Sequence, residues 1–294
     1  MAVAISSLDR VRHACMVPES DEHVREVTAA WIASGLRAGD RVVYLEDDVA
    51  GQLLERLEDD RVPAERAIAE GQLALMPPRR PTRRTVPAPL RRVEQTMNRA
   101  IAETADLGWP GLRFIARPAR TCAGVDLNTL VGYEEVVERV LGAHRDIRLL
   151  CLYDRGVSDQ SAIAAIRRVH RTEVVHEALY DDGLLRVTRP GPGVVRLAGE
   201  IDYSNRAVPR DVLARALAEV PRSPDLPADV TVDLASLRFL DVTAAVELIH
   251  VGRECPTGHH LVLAGVRAHV ARLLDRCGAP LSDQLVVQPR RPPD

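Results

Sequence analysis

Residues 230–251 read VTVDLASLRFLDVTAAVELIHV, and this stretch decides the fold. VTVDL has the composition and alternation of a buried β-strand, which leads through LRFLD into a helix opening at Thr243. A strand that passes into a helix within so few residues belongs to an α/β architecture. Working outward, the strand LVLAGV and the helix AHVARLLDRCG follow, and the helix PRDVLARALAEV precedes. Further back, LLRVTR and VVRLAGEID flank Pro190-Gly191-Pro192-Gly193, a hairpin signal in which glycine supplies the turn dihedrals and proline sets the chain direction. Together these make a unit of about a hundred residues, an ordinary domain size.

The preceding half alternates helix and strand patterns in a βα rhythm. A helix begins after Ser20 as N-cap, with Val24, Val27 and Trp31 at helical spacing, and RVVYLE, QLALM, GLRFIA and RLLCLYD read as strands. Between them fall helices around Leu53, Leu54 and Leu57, after Pro63, from Leu90 to about Ala105, along Leu130, Tyr133, Val137 and Val140, and up to His170. Strands separated by crossover helices predict a doubly wound parallel sheet. Residues 77–89 interrupt the rhythm with prolines and Arg79, Arg80, Arg83 and Arg84, and the arginine run as far as Arg92 has no interleaved aromatic for base stacking. It reads as a solvated loop, and no nucleic-acid partner is expected. The closing QPRRPPD reads as a frayed tail.

Composition narrows the chemistry. The 294 residues suffice for two cores; the net charge of -3 and 28% charged residues describe an ordinary globular chain. The sequence contains no lysine and no GxxxxGK[ST], which removes Schiff-base chemistry and the phosphate-binding loop. No Ser/His/Asp order supports a catalytic triad, so the expectation is a protein that is not an enzyme and carries no cofactor. MAVAISSLDRVRHA is broken by charge before any apolar run, and no segment has the length of a membrane span, so the reading is a cytoplasmic protein with no membrane partner. Cys15, Cys122, Cys151, Cys255 and Cys277 are scattered and never paired as CxxC, which predicts reduced thiols. Asp47-Asp48, Glu58-Asp59-Asp60 and Glu134-Glu135 read as solvent faces of helices.

The order of GEID hairpin, helix, TVDLASLRFLD, helix, LVLAGV and LLDRCG resembles the STAS domain of anti-sigma-factor antagonists, over residues 184–286. In that family a Phe-hydrophobic-Asp strand end is followed by two small residues and a glycine, and a partner kinase phosphorylates the second small residue. Phe239, Leu240 and Asp241 match, Val242 fills the first small position, Thr243 stands at the phospho-acceptor position and Ala244 replaces the glycine. The resemblance implies a partner surface made of Asp202, Ser204, Asn205, Asp241 and Thr243. It also implies a partner that is an anti-sigma factor, a serine-threonine kinase of the histidine-kinase-like ATPase type. The plainer reading of Thr243 is a helix N-cap.

His13-Ala14-Cys15, GLRAGDRVVYLEDD, EGQL at 70–73, GWPGLR at 108–113, GYEE at 132–135, LLCLYDR and His170 resemble the MEDS sensory domain, over residues 8–176. That family is similar to RecA- and KaiC-type folds. Where a phosphate loop would follow the first strand, this chain reads VPESDEHV. The resemblance implies a sensory domain with a small-molecule ligand, and His13, Cys15, Cys151, Tyr153, Asp154 and His170 are the candidates, converging at one end of the sheet. The histidines and cysteines have the chemistry for a soft metal. Their spacing fits no zinc signature, so the sequence predicts core residues and no metal. The combined expectation is a partner-switching regulator, with homodimerisation open. The alternative is a small-molecule or metal-binding sensor or accessory protein whose STAS domain is a docking scaffold.

Overall fold

The computed structural model describes residues 2–5, 8, 11–45, 50–76, 89–117, 127–153, 160–219, 229–255 and 258–290. The chain divides into two compact units, one of residues 1–19 and 23–176, the other of residues 20–22 and 177–294.

The first unit holds an all-parallel seven-stranded sheet. Its strands are β1 (Ala2–Ala4), β2 (His13–Met16), β3 (Arg41–Leu45), β4 (Leu73–Met76), β5 (Leu112–Ala116), β6 (Ile147–Leu152) and β7 (Glu173–Val175). They lie in the order β1-β7-β2-β6-β5-β3-β4. Side chains alternate across a strand, and so each strand feeds two cores. Ala14, Met16, Val42, Tyr44, Leu150 and Leu152 pack with α1 (Asp21–Arg37), α2 (Ala50–Asp59) and α3 (Ala64–Ala69), where Val27, Trp31, Leu53 and Leu57 are the anchors. Cys15, Val43, Phe114, Leu149 and Cys151 face the other way, against Met97 of α4 (Leu90–Asp106), Tyr133 and Val137 of α5 (Leu127–Ala143), and Ile163 and Ile166 of α6 (Gln160–Val169). Helices on both faces of a parallel sheet are the doubly wound arrangement expected from the βα rhythm. The short outer strands β1 and β7 go beyond that expectation. Two of the motifs quoted above meet here: Arg113 of GWPGLR donates from Nε to Asp40 of GLRAGD at 2.6 Å, and from Nη1 to Ser34 at 2.7 Å. A side chain at Gly111 would collide with that same Asp40 carboxylate, which accounts for the glycine.

The second unit is a mixed sheet of β8 (Tyr180–Asp181), β9 (Leu185–Gly191), β10 (Val194–Ile201), β11 (Val230–Asp233), β12 (Leu237–Leu240), β13 (Leu261–Val266) and β14 (Leu285–Pro289). β8, β9 and β10 are antiparallel neighbours, and β11, β12, β13 and β14 join in parallel. The helices α7 (Ala207–Glu219), α8 (Val242–Arg253) and α9 (Ala268–Arg276) bury Leu213, Leu248, Ile249, Val270 and Leu274 against it. Gly199 sits at φ +109° in a register shift of β10, and a Cβ there would collide with the Leu184 carbonyl. The first residues of the expected frayed tail, 288–290, are ordered. Gln288 and Pro289 lie in β14, where Pro289 pairs with Val266, and the Arg290 amide donates to the Val266 carbonyl at 2.9 Å. Proline is tolerated there because an edge strand leaves one row of N–H groups without a ladder partner.

Candidate functional site

Two groups of side chains stand out, one at the end of β10 and β12 in the second unit and one buried in the first. At the strand ends, Ile201 and Leu240 are register partners and the Asp241 amide donates to the Ile201 carbonyl at 3.0 Å. The turn that follows β10 and the start of α8 therefore leave the sheet side by side. In the turn, Asp202 Oδ1 accepts from the Ser204 amide at 2.8 Å and from its hydroxyl at 2.5 Å, which holds the carboxyl below its usual range. Asn205 is buried: its Oδ1 accepts from the Asp202 amide, and its Nδ2 donates to Asp182 and to the Glu200 carbonyl, both at 3.1 Å. It shapes this surface rather than presenting a side chain on it, a correction to its expected partner-facing role.

Asp241, not Thr243, caps α8. Its Oδ1 accepts from the Ala244 amide at 2.6 Å with extended backbone at Asp241. Thr243 occupies the second helical position with its side chain exposed, so the N-cap reading of its hydroxyl is corrected. Around it, Tyr203 is 80% exposed, Val242 61% and Phe239 47%. Large apolar side chains left in water beside a hydrophilic turn are the composition of a docking surface.

The buried group lies on the sheet face that carries α4, α5 and α6. His13 and Cys151 point to this face from β2 and β6, His170 follows α6, and Glu134 and Glu138 stand one turn apart on α5. His13 Nδ1 lies 2.6 Å from Glu138 Oε1, and its Nε2 lies 3.2 Å from Glu134 Oε2 and 3.7 Å from Cys151 Sγ. His170 Nδ1 lies 3.0 Å from the Ile166 carbonyl and its Nε2 3.2 Å from Glu134 Oε2. Tyr153 donates its hydroxyl to Glu134 Oε1. His13, Glu134, Cys151 and His170 are all buried, and one donor atom from each lies within 4.8 Å of the others.

The electrostatics follow from this crowding. Burial pushes the Glu134 carboxyl up, but the His13 and His170 rings win and hold it at about 2. Burial pushes the His13 imidazole down, and Glu134 and Glu138 more than reverse this and raise it. Burial drives the Tyr153 hydroxyl and the Cys151 thiol up, and takes Cys15 to about 12.

The structure thus unites His13, Cys151, Tyr153 and His170, on a face of the sheet rather than at its end. Cys15 is the register partner of Cys151 but stays outside the converging set, and Asp154 lies outside the described residues, as do the arginines at 79–84. Glu134, expected with Glu135 on a solvent face, is corrected: it is buried at the centre of this group, while Glu135 beside it is exposed. Its signal was an acid three residues before Val137 and seven before Leu141, inside the apolar stripe of α5.

Family models supply the comparison. The model described as MEDS, MEthanogen/methylotroph, DcmR Sensory domain, matches residues 12–171, more than half of the chain. The chain belongs to the MEDS family. A STAS domain model matches residues 185–284, so the MEDS domain is followed by a STAS domain. Among solved structures, the flagellar accessory protein FlaH from Methanocaldococcus jannaschii is similar at 13% identity, over 63% of this chain and 77% of that one, with a TM-score of 0.44. No curated protein matches. Among the described residues, no helix is long and apolar enough to cross a membrane.

Proposed function

We propose that this MEDS-STAS protein is a partner-switching regulator, whose STAS domain binds an anti-sigma factor of the histidine-kinase-like ATPase type under control of the MEDS domain. It acts by binding and catalyses nothing itself. The observation that carries the reading is the exposed Tyr203, Phe239, Val242 and Thr243 at the adjoining ends of β10 and β12. When this surface holds the anti-sigma factor, the sigma factor is released.

Thr243 is the phospho-acceptor in this account. Its position in the first turn of α8 sets an added phosphate near unsatisfied amides and the positive end of the helix, which tolerates the charge. The same phosphate brings about -1.5 to -2 units of charge beside Asp241, enough to repel a partner fitted to the neutral hydroxyl. An affinity pull-down of the full chain from its native cytoplasm, read by mass spectrometry, tests the class. Recovery of a histidine-kinase-like ATPase that phosphorylates Thr243 in the presence of MgATP is the expected outcome. Recovery of no such ATPase contradicts it.

A second reading rests on the buried side chains of the MEDS domain. There the chain is foremost a sensor, and the STAS domain a docking scaffold. Chemistry-bearing residues gathered on one face of the sheet favour a sensory role for the MEDS domain under both readings.

A further inference from the structure

The four converging donors of the MEDS domain do more than fill a core. We propose that His13 Nε2, His170 Nε2, Glu134 Oε2 and Cys151 Sγ form a closed, four-coordinate site for one divalent transition-metal ion, with Zn2+ the best match. The inference stands independently of the partner-switching reading.

The Nδ1 of His170 faces a backbone carbonyl, which only accepts, so Nδ1 carries the hydrogen. The Nδ1 of His13 faces the Glu138 carboxylate, which fixes the same tautomer. In both neutral rings the lone pair is then on Nε2, and both Nε2 atoms approach the same oxygen, Glu134 Oε2. Lone pairs and a carboxylate oxygen facing one another repel unless a cation lies between them, either a proton that makes the ring an imidazolium or a metal ion that takes the proton's place. A metal-binding histidine typically donates its other N–H to a carboxylate or a backbone carbonyl, and both patterns are present. Glu134 is oriented in the same way, because Tyr153 occupies Oε1 and leaves Oε2 for the centre.

His170 Nε2 and Glu134 Oε2 are buried and approach at 3.2 Å, yet neither is aligned with any hydrogen-bond partner. Buried polar atoms are seldom left so. Atoms that draw close without pointing at each other are expected when both point at a third centre. Metal bonds of 2.0–2.3 Å at tetrahedral angles give donor separations of about 3.3–3.6 Å. Three of the six separations are 3.2, 3.2 and 3.7 Å, and all six lie within 4.8 Å.

Two neutral imidazoles, one carboxylate and one thiolate balance a divalent ion, and binding removes the thiol proton outright. Nitrogen and sulfur donors in a four-coordinate set select a borderline ion over Mg2+ or Ca2+, which favour oxygen. Four protein ligands leave no open position, so the ion ties β2, β6, α5 and the end of α6 together.

The test uses full-length protein purified without an affinity tag. Elemental analysis should find close to one zinc per chain, and the thermal melt should fall with a chelator and recover with added Zn2+. Protein stripped of metal and shown to be folded by circular dichroism should bind Co2+ with tetrahedral visible bands and a near-ultraviolet thiolate-to-cobalt band. Cys151→Ser should abolish the thiolate band, and Cys15→Ser should leave it unchanged. Glu138→Gln, which keeps the fold and removes only the orienting carboxylate, should weaken Co2+ binding by about 10–100-fold. Wild-type protein with no stoichiometric metal, no cobalt spectrum and a melt indifferent to zinc and chelator would overturn the proposal. So would a thiolate band that survives Cys151→Ser.

Discussion

The Asp241 amide donates to the Ile201 carbonyl one step beyond the Ile201–Leu240 strand pair, and this bond brings the turn after β10 beside the first turn of α8. Everything exposed at this end of the STAS sheet is organised by it. The two segments are far apart in sequence, so one partner can read both only because the strands end in register.

Capping falls to Asp241, while the proposed switch is assigned to Thr243. Asp241→Ala removes the only side-chain cap seen on α8 among the described residues, and should cost about 0.5–2 kcal/mol, while Asp241→Asn should cost much less. Thr243→Ala should change stability by no more than about 0.5 kcal/mol, because the exposed hydroxyl caps nothing. Urea denaturation of the three variants checks the order. A Thr243→Ala loss as large as that of Asp241→Ala would return the cap to Thr243.

The second unit should be autonomous. Residues 177–294 carry a whole sheet, a core of their own and the buried Arg186–Asp181 pair at 2.6 Å. A fragment starting at Glu177 should therefore fold cooperatively, as judged by amide dispersion and a sigmoidal melt. A fragment that stays unfolded while the full chain melts cooperatively would refute the two-unit account.

In the MEDS domain, Asp40 neutralises the buried guanidinium of Arg113. Asp40→Ala removes this counter-charge from the buried guanidinium, beside which Ser34 is a neutral partner and Arg148 lies near Asp40 as a second cation. The expected loss is about 3–5 kcal/mol, read from the chemical-denaturation midpoint of the MEDS transition. A loss below about 1 kcal/mol would show that Arg113 is satisfied some other way.

The chain should not bind ATP tightly. It has no lysine to reach a phosphate, and the segment after β2 begins Val17-Pro18-Glu19-Ser20 where a glycine-rich loop would be needed. Titration calorimetry with MgATP should show no micromolar binding. A magnesium-dependent isotherm in that range would contradict the reading.

Elements with strong periodicity were legible in the sequence. The helix over 90–106 and the strands carrying RVVYL and LRFIA need only the apolar pattern, because each buries a full face. Less visible were short outer strands such as β7 and the terminal β14, whose pairing is set by neighbours distant in sequence. The buried site was half legible. His13, Cys151 and His170 stand out by residue type, but Glu134 looks like half of a solvated acid pair until α5 is turned against the sheet. Thr243 was read correctly as lying at a helix start, while the single-residue difference that makes Asp241 the cap depends on backbone geometry.

The most direct test of the central claim is the affinity of the recovered ATPase partner for wild type, Thr243→Ala and Thr243→Glu, measured at one salt concentration. An acidic residue in the first turn of α8 is favourable to the helix, so Thr243→Glu should melt like the wild type and any lost binding reports recognition. The account predicts wild-type affinity for Thr243→Ala and at least a tenfold loss for Thr243→Glu, with phosphate found on Thr243 of the wild-type protein in cells. Equal affinities for all three, with no phosphate on Thr243, would contradict it.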